Sequence, residues 1–237
     1  MKPLVVVTGA SHGIGRAVAE KFAAEGHSLL LVARHPEPLG GIPAEQVMQA
    51  TADVADYGAL ESAIGKAEAV FGPTECLVNN AGSLKIGALE ERNVSEMSYE
   101  IDVLFKGVLN GIRVVLGGMK ARRSGTIINV SSIGDRAAGP DGAVYNASKA
   151  AVRSLSTSLQ KGEAASNIRV INVAPGFVKT NIHVDMGISF ETYCERLGNP
   201  DFISAEELAD IILFCWKQPQ RICIRDIVVM PTTSSFA

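Results

Sequence analysis

Tyr145 and Lys149 stand four residues apart in the segment YNASK. On a helix such residues share a face, which makes the phenol and the ammonium neighbours. A free tyrosine ionises near about 10, too high for efficient proton exchange at neutral pH. A nearby ammonium favours the phenolate and lowers that value, so Lys149 is expected to tune Tyr145 as a proton donor and acceptor. Ser132 closes the apolar run GTIINVSS, and the loop from there to Tyr145 sets a hydroxyl opposite the phenol. Both oxygens could then reach one carbonyl oxygen.

A second cluster lies near the start of the chain. VVVTGASHGIGRAVA reads as strand, tight turn and helix. Gly9 permits an unusual turn, Gly13 lets the backbone approach a phosphate, and Gly15 lets the helix pack close to the strand. Ser11, His12 and Ile14 complete a loop whose pyrophosphate would rest on amide hydrogens at the helix N-terminus. The second strand ends in Ala33-Arg34-His35. A carboxylate at that end binds a ribose 2′-hydroxyl and favours NAD, whereas an arginine accommodates the 2′-phosphate of NADP. Arg34 offers a planar fork for that phosphate, and His12 could add a donor. The expected cofactor is NADP(H).

These residues need a scaffold. Seven apolar runs, PLVVVTG, SLLLVAR, VMQATAD, ECLVNN, GTIINVSS, IRVINVAPG and RICIRDIVVM, alternate with amphipathic stretches. Continuous apolar strands between helices predict βαβ units and a parallel sheet covered on both faces. The fold class is therefore α/β, one doubly wound domain over residues 1–237 with a seven-stranded parallel sheet. Residues 179–204 are the least patterned and predict a loop, at about 181–203, that covers the substrate. At 237 residues the chain can bury a large core. Its net charge of −3, without a basic block, points to neither nucleic acid nor an anionic membrane. No apolar run is long enough to span a bilayer, and the opening MKPLVVVTGA reads as a strand rather than a secretory leader. Cys76, Cys194, Cys215 and Cys223 form no CxxC pair and no cluster with histidine. They read as free thiols in a reducing, cytoplasmic setting, with no metal site.

The ordered motifs TGASHGIG, NNAG (79–82), NVSS (129–132), YNASK and PGFVKT (175–180) give the chain its resemblance to the short-chain dehydrogenase/reductase family. The likeness covers nearly the whole sequence. It implies a Rossmann fold and an enzyme that interconverts a carbonyl and a secondary alcohol by hydride transfer with a nicotinamide cofactor. Tyr145 would be the general acid/base, Ser132 would position the substrate carbonyl, and Lys149 would also bond the nicotinamide ribose. Asp53 and Val54 match the adenine-binding position. Asn80, Ala81 and Gly82 would line the adenosine side and brace the sheet. Pro175 and Gly176 would turn the chain, and Thr180 would reach the carboxamide. Asn79, Asn129 and Ser131 read as scaffold.

One position departs from the pattern. The family usually carries an asparagine in a stretch like DVNLKG, where it holds a water that links the lysine to solvent. Here the stretch is DVLFKG, with Leu104 at that place. Asn110 lies nearly two turns further on and is not expected to substitute. Leu104 opens an alternative: an NADP(H)-binding sensor with little turnover. The tail VVMPTTSS is similar to the branch of NADP-dependent 3-hydroxy-acid (serine-type) dehydrogenases, whose tails pack across a subunit interface. Lys85 and Arg136 are candidate cations for a substrate carboxylate. Ile182, Met186, Phe190 and Tyr193 instead suit an apolar ketone or aldehyde. Two helices, one with Val103, Leu104, Val108, Ile112 and Leu116 and one with Ala150, Val152, Leu155 and Leu159, are apolar on several sides. They predict a homodimer or homotetramer.

Overall fold

The computed structural model describes residues 2–234. Among these, seven strands form one parallel sheet: β1 (Lys2–Thr8), β2 (His27–Ala33), β3 (Val47–Thr51), β4 (Thr74–Asn79), β5 (Gly125–Val130), β6 (Ile168–Pro175) and β7 (Asp226–Val229). Their order is β3-β2-β1-β4-β5-β6-β7. The chain winds outward from β1 in one direction, then returns to β4 and winds in the other. The carboxyl ends of β1 and β4 therefore border a crevice, the place where doubly wound sheets take ligands.

The apolar runs of the five inner strands are continuous because those strands are buried on both sides, whereas the edge strands β3 and β7 are partly exposed. Val5 and Val7 of β1 face one core with Val18 and Phe22 of α1 (Gly13–Ala24). That core also holds Leu208 and Ile212 of α8 (Ala205–Lys217). Leu4 and Val6 face the other core, with Leu60 and Ile64 of α2 (Tyr57–Phe71). Fully burying Phe22, which is 0% exposed, is worth about 2–3 kcal/mol. Chemistry at the ends fixes where helices begin. Asp56 accepts from the Ala59 amide at 3.0 Å before α2, and Ser204 and Glu207 form a reciprocal capping box before α8.

Three elements differ from the sequence reading. The predicted last strand, residues 221–230, pairs only over Asp226–Val229; Cys223 and Ile224 pack against the core without joining the ladder. The predicted long helix is α3 (Val94–Ile101), a π-helical stretch (Asp102–Lys106) and α4 (Gly107–Arg122). The expected loop holds two short helices, α6 (Ile182–Asp185) and α7 (Phe190–Arg196). The tail residues 235–237 lie outside the described residues.

Candidate active site

The glycine loop follows β1 directly. Gly9 and Gly13 have φ of +66° and +56°, the left-handed region that glycine enters without strain. A side chain on Gly15 would strike the Gly9 carbonyl oxygen and lie 2.5 Å from the Asn80 amide nitrogen. Gly15 thus sets the closeness of helix to loop. The Asn80 amide donates to the Thr8 and Gly9 carbonyls at 3.1 Å each, so Asn80 ties the end of β4 to the last residue of β1 and to the loop that follows it. Thr180 sits against Gly13, its methyl 3.4 Å from where a β-carbon would be. Gly176 is close-packed under Met230 and donates its N–H to Val229 at 2.8 Å.

Every predicted catalytic and cofactor-binding residue except Gly15 borders one cavity of about 850 Å³; of the substrate candidates, Lys85, Ile182, Met186 and Tyr193 border it, and Arg136 and Phe190 do not. At one end Arg34 is exposed and donates to the Tyr99 hydroxyl at 3.2 Å. Tyr99 in turn donates to Asp53 at 2.5 Å, and the other Asp53 oxygen accepts the Ala55 N–H at 2.9 Å. His12 caps no amide; its ring meets the Ser11 hydroxyl at 2.9 Å. The Val54 carbonyl is fixed by the Asn110 amide at 2.8 Å, so Asn110 is an anchor and does not stand in for the missing asparagine. Asn79 and Asn129 bond one another at 2.9 Å, with Asn129 reaching Ser156; they are scaffold, as expected.

At the other end, the cavity is bordered by Ser132, Tyr145 and Lys149. Ser132 stands just beyond β5 and caps the short turn Ile133–Asp135 by accepting from Gly134 at 3.1 Å. Tyr145 and Lys149 project from α5 (Ala143–Gly162). The electrostatics correct one part of the sequence reading. Burial pushes the Tyr145 phenol up; the Ser132 hydroxyl pulls it down, while Glu100 and Asp135 push it up further. The Lys149 ammonium lies 5.7 Å from the Tyr145 ring centre and donates to the Val130 carbonyl at 2.8 Å, and the net shift of the phenol is upward rather than the lowering expected. Burial lowers Lys149 itself to about 8, against a smaller opposing pull from Asp135. Helical spacing placed the two on one face but could not show where the ammonium turns.

Four residues missed in the sequence belong to this site. Tyr99 joins Arg34 to Asp53 across 65 and 46 residues of chain, separations with no local signal. Glu100 lines the cavity, almost wholly buried, in an ion pair with Arg92 at 2.8 Å. Asp135 accepts from Ser131 at 2.8 Å and from Arg136 at 2.6 Å. Asn146 borders the cavity and donates to Gly139 at 3.0 Å. Arg136 is not a free cation for substrate, because it also grips Asp226 with two bonds of 2.9 Å. Lys85 does border the cavity and is exposed. Residues of α6 and α7 border the cavity, among them Ile182 and Tyr193, and Phe190 and Tyr193 of α7 pack ring against ring with Phe202 at 5.6–6.5 Å.

The model of the family described as short chain dehydrogenase matches residues 3–187. The chain belongs to the short-chain dehydrogenase family. Within it, the oxidoreductase UcpA of Salmonella typhimurium is 36% identical over 203 residues, covering 83% of this chain and 74% of that protein. A closed serine dehydrogenase complexed with NADP+ superposes with a TM-score of 0.89 at 28% identity, covering 99% of this chain and 97% of that one. The 3-ketoacyl-(acyl-carrier-protein) reductase of Brucella melitensis, complexed with NADH, gives 0.87 at 25% identity, covering 98% of both chains. The protein is thus a short-chain dehydrogenase with a Rossmann-type fold and oxidoreductase ancestry. A dinucleotide fits the residues present: two left-handed glycines and a side-chain-free cradle open into one end of the cavity, and the polar trio borders the other.

Proposed function

We propose that this short-chain dehydrogenase is an NADP(H)-dependent oxidoreductase that interconverts a small-molecule carbonyl and a secondary alcohol. The observation that carries the reading is the single cavity joining the glycine loop and Arg34 to Ser132, Tyr145 and Lys149. When bound, the nicotinamide cofactor supplies or accepts the hydride. The protein does the rest. Ser132 hydrogen-bonds the substrate oxygen and holds it in line, and Tyr145 gives that oxygen its proton in the reductive direction. A phenol raised by burial stays protonated at neutral pH, ready to donate. Lys149 holds the ribose hydroxyls and places a positive charge beneath the site. Asp53, Val54, Asn80, Ala81 and Gly82 line the adenosine side, and Pro175, Gly176 and Thr180 line the nicotinamide side.

An uncharged ketone or aldehyde suits the cavity wall of Ile182, Met186 and Tyr193 best, since Arg136 is held by two carboxylates. A 3-hydroxy acid is the second reading, favoured by exposed Lys85 at the cavity and by the likeness to serine dehydrogenase. The binding-only reading finds no support. Leu104 is fully buried against Gly82 and fills core space, while Ser132, Tyr145 and Lys149 are all retained. A cytoplasmic homodimer or homotetramer completes the proposal, with a solution mass of two or four times 25.0 kDa by light scattering. The free thiols agree with that setting, and no helix of the described residues is long and apolar enough to cross a membrane.

The test is nicotinamide absorbance with NADPH or NADH against a panel of carbonyls, and NADP with serine and 3-hydroxy acids in reverse. NADPH-preferred turnover that drops at least about a hundredfold in Tyr145→Phe is expected, the usual share of general acid catalysis. Arg34→Asp should shift preference toward NADH. NADPH binding without turnover anywhere in the panel would reject the enzyme reading.

A further inference from the structure

Arg34 is exposed, at the end of β2, and an exposed arginine samples many rotamers. Ordering it only when a ligand arrives would cost affinity. Here it is already ordered: its guanidinium donates to the Tyr99 hydroxyl at 3.2 Å. That hydroxyl donates at 2.5 Å to Asp53, whose second oxygen is held by the Ala55 amide. One phenol can accept and donate at once, so carboxylate, phenol and guanidinium form a directed chain. Each member borders the same cavity.

We propose that Tyr99 pre-orients Arg34 for a phosphate at the adenosine end and so acts as a cofactor-selectivity residue, an inference that rests on the NADP reading above. The phenol also stands between the guanidinium and a carboxylate that would otherwise draw it into a direct ion pair, away from the ligand. Burial and the bond to Asp53 both push the Tyr99 phenol up, which keeps its proton on and the chain intact at neutral pH. Glu37, another carboxylate bordering the cavity, lies 3.7 Å from Arg16, and among the described residues no ion pair joins Arg34 to Glu37 or Glu96.

The experiment is direct titration of NADPH and NADH by nicotinamide fluorescence, with no substrate present. It uses the wild type, Tyr99→Phe, Arg34→Ala and the double variant. Phenylalanine keeps the half-exposed ring and removes only the hydroxyl. Tyr99→Phe is expected to weaken NADPH about fivefold to tenfold, within the range of an ordinary hydrogen bond, and NADH less than about twofold. In the Arg34→Ala background the same change should add less than about twofold, because the phenol then has nothing to orient. Equal losses for both cofactors, or an undiminished loss without Arg34, would overturn the proposal and leave Tyr99 as a simple adenosine contact. If the wild type binds NADH as tightly as NADPH and Arg34→Ala leaves that ratio unchanged, the NADP reading itself falls and takes this one with it.

Discussion

At the scale of single residues, Lys149 shows how burial and charge divide the work. Its ammonium is inside the protein, bonded to a main-chain carbonyl, and burial brings its pKa to about 8. Below that value it is charged; above it, it is neutral. The Tyr145 phenol is raised, so it keeps its proton through the same range. The kcat/KM for NADPH, which reports the cofactor-free enzyme, should therefore be flat below pH 8 and fall above it. Lys149→Arg, which stays charged, should be slower but should lose that fall. A profile with its break unchanged in Lys149→Arg would assign the ionisation elsewhere. The sequence showed the residues and their shared face. It could not show the Val130 carbonyl, reached only when β5 packs beside α5, nor the Tyr99 bridge, formed between segments far apart in the chain.

At the scale of elements, the strands were the most legible part. A parallel strand buried on both faces must be apolar throughout, and Leu29, Leu30, Leu31 and Val32 of β2 are. The last run failed partly for the same reason: apolarity reports burial, and Cys223 and Ile224 are covered without being paired. The segment of α6 and α7 was unreadable as helix because four- and seven-residue helices are too short to show a period, and its rings pack on one another. Leu104 belongs to this scale. It sits in the π-helical stretch, and a side chain on Gly82 would come within 3.2 Å of it. Leu104→Asn should destabilise by about 2–4 kcal/mol, through lost packing and an amide buried without partners. Urea unfolding measures this. A neutral result would mean the asparagine finds a partner there, such as a water beside Lys149.

At the scale of the whole molecule, one charged cluster ties the edge of the sheet to the site. Arg136 bridges Asp135, in the turn after Ser132, to Asp226, the first residue of β7. The Asn172 amide joins the same two carboxylates at 3.1 and 2.9 Å. The Asp135 side chain is wholly buried, while those of Arg136 and Asp226 are 22% and 37% exposed. Replacing Arg136 by methionine keeps the volume and leaves two carboxylates facing each other. The expected loss at pH 7 is about 3 kcal/mol, the lower part of the range for breaking a buried pair because two members keep some water. The pH dependence follows from Asp226. Burial alone would raise it, but the Arg136 and Asn172 bonds outweigh burial and its pKa is lowered. Its stabilisation is therefore fully present above its unfolded value and is lost as pH falls through the lower folded one. In Arg136→Met, Asp226 loses the guanidinium that lowers it and takes up a proton more readily, which relieves the repulsion. The stability gap between wild type and variant should narrow as pH drops from 7 toward 4, read from thermal melts across that range. A gap constant with pH would mean that the loss comes from packing and not from the unpaired charges.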